Sequence, residues 1–223
     1  MGWLKRVFGG GDDPPERHEE EVDPEAAERW YKRKSALLAS KLGTEHDTVM
    51  HAIVPFEVGG PLDLYYYPQA VPGTAIATKE LCEMPRRGPK SRAFDCYELV
   101  MFTRAALSLE DAHNESTLFG RAHSTMSRIL YAIARYAQQA MLNPGETCEF
   151  PSDMEGIGGK CLVFDSYASM RDDDAGRFGL LLLLEVHRSE MEFARREGSQ
   201  ELIERLQAKG LYPYSDLHRP PVA

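Results

Sequence analysis

FGLLLLLEVHRSEMEFARREGSQELIERLQAKGLYPYSDLHR, residues Phe178–Arg219, is the stretch that decides the fold. Phe178 to Val186 is almost continuously apolar, the pattern of a strand covered on both faces. A buried helix would share that pattern, since leucine is a good helix former. Gly176 and Gly179 at its start, and the shortness of the run, favour the strand. Ser189 then reads as an N-cap, and Glu192 three residues later completes a capping box. Met191, Phe193 and Ala194 supply apolar contacts for this helix before Gly198 interrupts it. Ser199 is placed to cap a second short helix with Leu202, Ile203 and Leu206 on one side, ended by Gly210.

Outward from that stretch, the other elements follow from local chemistry. A helix starts at Asp23 as N-cap with Pro24 in its first turn, and Gly43 ends it. Val49–Phe56 reads as a strand, Gly59-Gly60-Pro61 as a turn, Leu62–Tyr67 as an aromatic strand and Thr74–Thr78 as another. Arg86 to Arg92 is a basic loop punctuated by Gly and Pro, and Cys96–Arg104 a further strand. Met126, Ile129, Leu130, Ile133, Ala134, Ala137 and Met141 recur at helical spacing over four turns, stopped by Asn143-Pro144-Gly145. Short strands are expected at Thr147–Phe150 and Lys160–Phe164, and an acidic loop at Arg171–Gly176. Strands gathered in the middle, with helices not in βαβ alternation, define an α+β class with one mixed or antiparallel sheet.

The chain has 223 residues and a formal net charge of −9. That balance argues against a general nucleic-acid binder, which carries a basic face. Residues 1–25 hold five of those net negative charges. The Gly/Pro/acid-rich Gly9–Val22 reads as a flexible leader, setting residues 1–22 apart from a single domain over 23–223. Trp3, Leu4, Val7 and Phe8 leave room for a weak peripheral membrane contact, but no apolar run approaches the roughly 18 residues of a spanning helix. Cys82, Cys96, Cys148 and Cys161 lack metal or redox spacing and read as reduced, buried thiols of a cytoplasmic protein.

Chemistry-bearing motifs are scarce. Gly156-Ile157-Gly158-Gly159-Lys160 fails as a phosphate loop, because Met154 stands at its first glycine and Cys161 at its Ser/Thr. Asp172, Asp173 and Asp174 fail as a calcium loop, since Gly176 falls at a ligand position and no closing Glu follows. No nucleophile elbow, metal cluster or cofactor motif is present, so neither metal nor cofactor is expected. Asp63, Glu98 and Glu185 lie within or beside apolar strands, either as solvent-facing positions or lining a groove for a partner. Tyr65, Tyr66 and Tyr67 straddle both strand faces, which puts at least one outward, as packing or as recognition surface. His187 ends the leucine strand in a structural or a site role. Arg86, Arg87, Lys90 and Arg92 are solvated charges or a surface for an acidic partner.

Four segments, in order, resemble the suppressor-of-fused (Sufu) domain. AIVPFEVGGPLDLYYYP (Ala52–Pro68) resembles its paired strands around a Gly-Gly-Pro turn, and YELVMF (Tyr97–Phe102) its glutamate-bearing central strand. ILYAIARYAQQAMLNPGE (Ile129–Glu146) resembles its long helix with an Ala-Arg-Tyr step. FGLLLLLEVHRSEMEFA and the terminal SDLHR resemble its last strand, its capped helix and its closing Asp-x-x-Arg. Two places depart from the pattern: Lys79-Glu80-Leu81-Cys82 replaces a Gly-hydrophobic-Ser turn, and Gly145-Glu146-Thr147 replaces a Gly-x-His step.

The resemblance implies a binding module that sequesters a protein partner, and not an enzyme. Animal members hold a partner peptide as an added strand, using a second lobe that a chain of this length is not expected to contain. Single-domain bacterial members imply an immunity protein that neutralises a toxin. On that reading the partner lies along the strands bearing Asp63, Tyr65, Tyr67, Glu98 and Glu185, with His187 nearby. The rival is a small enzyme whose Glu98, Glu185 and His187 form an acid/base site in a polar cleft.

Overall fold

The computed structural model describes residues 23–54 and 56–223. The expected leader over residues 1–22, with the membrane contact through Trp3, Leu4, Val7 and Phe8, lies outside the described residues. At its centre is β6 (Gly176–Val186), the leucine strand, with every residue from Phe178 onward buried. Successive side chains of a strand point to opposite faces. Leu180, Leu182 and Leu184 therefore enter one core layer, and Leu181 and Leu183 the other. Burying a leucine contributes about 1.5–3 kcal/mol, so this strand anchors both layers. Gly179 is required by a close approach: a Cβ there would sit 2.3 Å from the Phe94 ring.

Six strands form one mixed sheet in the order β1-β2-β3-β6-β5-β4. They are β1 (Tyr65–Tyr67), β2 (Thr74–Ala77), β3 (Cys96–Thr103), β4 (Thr147–Glu149), β5 (Cys161–Asp172) and β6. β3 and β6 run parallel and the other neighbours antiparallel. One face is covered by α1 (Pro24–Leu42), α3 (Arg188–Glu197) and α4 (Ser199–Ala208), and the opposite face by α2 (Leu118–Ala137). The α1 entry is as expected: the Asp23 carboxylate accepts the Glu25 N–H, Pro24 opens the helix and Gly43 closes it. The chain has the α+β architecture read from its sequence.

Several boundaries differ. Val49–Phe56 is not a strand; it contributes one bridge, Met50 to Leu64, and a 3-10 turn at Phe56–Val58. The Asp63 carboxylate accepts the Ala52 N–H at 2.8 Å, taking a donor that a strand neighbour would use. β5 runs on to Asp172, well past Phe164, because its pairing with β6 continues through a bulge at Ser166/Ala168. Ser189 is not the cap of α3. The chain turns helical earlier, with His187 as N-cap and Glu190 accepting the His187 N–H at 2.9 Å. Ser189 Oγ instead donates to the Ala223 carbonyl, and Glu192 is exposed. Ser199 is the first residue of α4 and donates to the Gly145 carbonyl at 2.6 Å, with Gly198 at the cap. The glycine-rich 156–160 segment is a turn joining β4 to β5.

Candidate protein-binding edge

The residues singled out in the sequence separate into two groups. Tyr65, Tyr67 and Glu98 share the α1 face of the sheet, and Asp63 precedes them at its margin. Glu185 lies on the opposite strand parity, beside the other layer, and roughly 16 Å further along β6 than the residue paired with Glu98. His187 follows it. No single groove joins all six.

The first group is closed. Glu98 is fully buried and accepts from Lys34 Nζ at 3.2 Å, Thr78 Oγ1 at 2.7 Å, and the Leu81 and Cys82 N–H groups at 3.2 and 3.0 Å. Lys34 Nζ is saturated in turn by the Lys79 and Cys82 carbonyls at 2.5 and 2.8 Å. Such a pair offsets its desolvation only because every lone pair and proton is used. Tyr67 is buried and donates to Glu45, which also holds Lys79, and Lys79 lies over the Tyr65 ring. The outward tyrosine expected in β1 is therefore not found: Tyr65, Tyr66 and Tyr67 are all buried, because helices cover both faces. Asp63 is held by His51 Nδ1 at 2.6 Å as well as by Ala52.

The second group is a polar lock on the C-terminal segment. Glu185 is buried and paired with Lys160 at 2.5 Å. His187 Nε2 meets the Arg219 carbonyl at 2.8 Å, while Arg219 makes a two-pronged ion pair with the buried Glu190. Burial alone would raise the Glu190 carboxyl. The Arg219 guanidinium and the Val222 and His187 N–H groups outweigh it and hold the carboxyl below its ordinary range. Glu98, Glu185 and His187 do not converge on a common point, so they do not build the acid/base site of the rival reading.

The sheet's two edges differ. At β1 three outward backbone groups are occupied by the chain itself: Leu64 exchanges both bonds with Met50, and the Tyr66 carbonyl accepts the His46 N–H at 2.8 Å. At β4, the Glu146 carbonyl and both backbone groups of Phe150 bond toward the β5 side. Ladder bonds alternate, so Cys148 also faces β5 while Thr147 and Glu149 present their N–H and C=O outward. No backbone partner meets them among the described residues.

That open edge lines a cleft of about 720 Å³. Ala132, Ile133 and Tyr136 of α2 form one wall, Ala194 and Arg195 of α3 another, and Phe150 and Phe164 an apolar floor. Met141 stands at the rim, 56% exposed. Arg188 pairs with Glu149 at 2.5 Å and Arg195 Nε donates to Thr147 Oγ1 at 3.0 Å, so α3 holds β4 by side chains and leaves its backbone edge open. Burial pushes the Cys148 thiol up to about 11, which keeps it neutral. A cleft of similar size, about 770 Å³, lies under His51–Val54 and Tyr131, but α2 and coil border it and not an open strand. The sequence marked β4 as a short strand but gave no sign that it was an edge, since edge position is set by strand order.

This α+β sheet has one edge largely closed by its own chain and one whose backbone meets no partner among the described residues, beside a cleft of mixed polar and apolar lining. Its particular architecture is the suppressor-of-fused fold. A chain of a Sufu–Fu complex crystal structure superposes with a TM-score of 0.59 at 16% identity, over 88% of this chain and 92% of that one. A suppressor-of-fused homolog from Neisseria gonorrhoeae FA 1090 matches with a TM-score of 0.51 at 14% identity, over 87% and 98%. Drosophila Suppressor of Fused gives 0.51 at 15% identity, and there 83% of this chain spans 49% of that protein. No family model and no curated protein matches the sequence. Among the described residues, no helix is long and apolar enough to cross a membrane.

Proposed function

We propose that this chain binds a protein partner by accepting an extended segment of it along the outer edge of β4. The observation that carries this reading is the pair of outward backbone positions, Thr147 and Glu149, without a backbone partner among the described residues and beside the cleft between α2 and α3. Strand addition draws affinity from main-chain bonds and specificity from pockets that receive alternate side chains. The apolar floor and the Met141 rim supply such a pocket. The neighbour solved as a Sufu–Fu complex has the same fold, which favours a binding role.

The six residues singled out in the sequence enter this proposal in different ways. Tyr65, Tyr67 and Glu98 hold the α1 side of the sheet rigid, and Asp63 ties down the segment that closes β1. Glu185 and His187 fix the C-terminal segment against α3, the helix that walls the cleft. In the finer form of the proposal the partner is a toxin and the chain its immunity protein, acting in the cytoplasm. Four free thiols are in keeping with a reducing compartment. Affinity purification from the native host, repeated with a Thr147→Pro variant, tests both levels. A toxin or secreted effector that co-elutes with the wild type and is lost with the variant is expected. Failure to find any toxin removes the immunity role, and an unchanged partner profile in the variant removes the β4 edge.

A further inference from the structure

We infer that the segment bound at the β4 edge carries acidic residues on the flank that leaves the cleft past Thr147, and that Lys90 and Arg92 recognise them; this rests on the edge-binding function proposed above. The loop before β3 exposes Arg86, Arg87, Lys90 and Arg92, and Arg177 at the start of β6 adds another exposed cation. A basic patch of this kind runs against the net charge of −9. Asp95 answers part of it: the Arg177 N–H bonds to its carboxylate, and the Arg177 and Arg86 charges add to that bond in holding it below the ordinary range. Lys90 and Arg92 are different. Neither side chain holds an ion pair among the described residues.

The Arg92 backbone ties their loop to the turn that leads into β4. The Arg92 N–H donates to Asn143 Oδ1 at 2.9 Å, and Asn143 Nδ2 donates to Glu146 Oε1 at 2.7 Å, one residue before β4. The other Glu146 oxygen accepts the Asn143 N–H at 3.0 Å, so this carboxylate is committed to the turn. Asn143 and Thr147 are at most roughly 13 Å apart along the chain. A strand paired with Thr147 thus needs only about four further residues to pass Glu146 and come within reach of Lys90 and Arg92. An antiparallel strand would present its C-terminal flank there, and a parallel one its N-terminal flank. Exposed cations of this kind contribute modestly to affinity and more to orientation and on-rate.

The test is selection of phage-displayed random peptides on the full-length wild-type chain, followed by titration of the synthesised winners against two variants, K90E/R92E and Thr147→Pro. Both variants are first checked for an unchanged thermal transition. Winners with a strand-like core and Asp or Glu on one flank are expected, binding K90E/R92E roughly three- to tenfold more weakly, with the gap closing at high salt. Loss of binding to Thr147→Pro together with no change in K90E/R92E, or winners without a charged flank, overturns this inference alone. Winners that keep their affinity for Thr147→Pro overturn the edge-binding function and this inference with it. Recovery of no peptide from the wild-type chain counts against both.

Discussion

At the β1 end of the sheet, both outward groups of Leu64 and the Tyr66 carbonyl are taken by Met50 and His46, whereas at the β4 end those of Thr147 and Glu149 meet no backbone partner among the described residues. The β1 end is also backed by a saturated interior: Lys34, Glu98, Thr78 and the Leu81–Cys82 backbone leave no donor or acceptor of that pair unused. The β4 end is backed by a cleft with an apolar floor and a partly polar lining, and by two side-chain clips from α3. Exposed sheet edges are normally blunted because they template pairing with other chains. One edge left open, beside a cleft with apolar side chains on its floor and rim, is the arrangement that strand addition uses. The difference teaches that conspicuous polar residues in strands can mark where a sheet is sealed.

Breaking the sealed end has the largest expected effect. Glu98→Ala leaves the Lys34 ammonium buried and uncompensated, and a loss of about 3–5 kcal/mol is expected in urea unfolding. A loss under about 1 kcal/mol would mean the network is not structural. Replacing both Lys34 and Glu98 with apolar residues of similar volume is expected to cost less than Glu98→Ala alone, because no lone charge remains.

Thr147→Pro attacks the open end. Its N–H points outward, so no ladder bond is lost, and stability is expected to change by less than about 1 kcal/mol. Partner affinity is expected to fall at least tenfold, equivalent to about 1.4 kcal/mol. The two variants then form a double dissociation between folding and binding, read by unfolding curves and by calorimetry.

Acid sharpens the comparison at the C-terminal lock. The Glu190 carboxyl is held below the 4.5 of a free glutamate, so its contribution is fully present above that value and is lost as pH falls through the folded-state value. Stability measured against pH is expected to drop over that window in the wild type. Glu190→Gln should flatten this part of the curve, and parallel curves would contradict the assignment. The smallest effect expected is that of Arg195→Ala. It removes an exposed bond to Thr147 and should alter stability by about 0.5 kcal/mol, while freeing one side-chain clip at the cleft.

Much of the fold was legible because its signals are local. The leucine run of β6, the helical spacing of α2 and the Asp23-Pro24 entry of α1 each depend on neighbours a few residues apart. The cap of α3 was misplaced because Ser189 and Glu192 satisfy a general capping pattern, while the cap formed uses Glu190, whose role depends on Arg219 and Val222 far along the chain. The strand expected at Val49–Phe56 was lost to the Asp63 side chain, a competitor that periodicity does not register. For the site, polar residues within apolar strands drew notice, and Glu98 and Tyr67 proved to be interior. Thr147 and Glu149 were passed over because their significance lies in the backbone. Only the order β1-β2-β3-β6-β5-β4 shows that no strand pairs beyond them among the described residues.

Amide hydrogen exchange of the chain with and without its co-purified partner tests the β4 edge most directly. The Thr147 and Glu149 amides, which have no backbone acceptor among the described residues, are expected to become protected in the complex, with Leu64 and Tyr66 unchanged. Protection confined to the β1 end, or none at Thr147 and Glu149 in a saturated complex, would contradict the assignment of β4 as the binding edge.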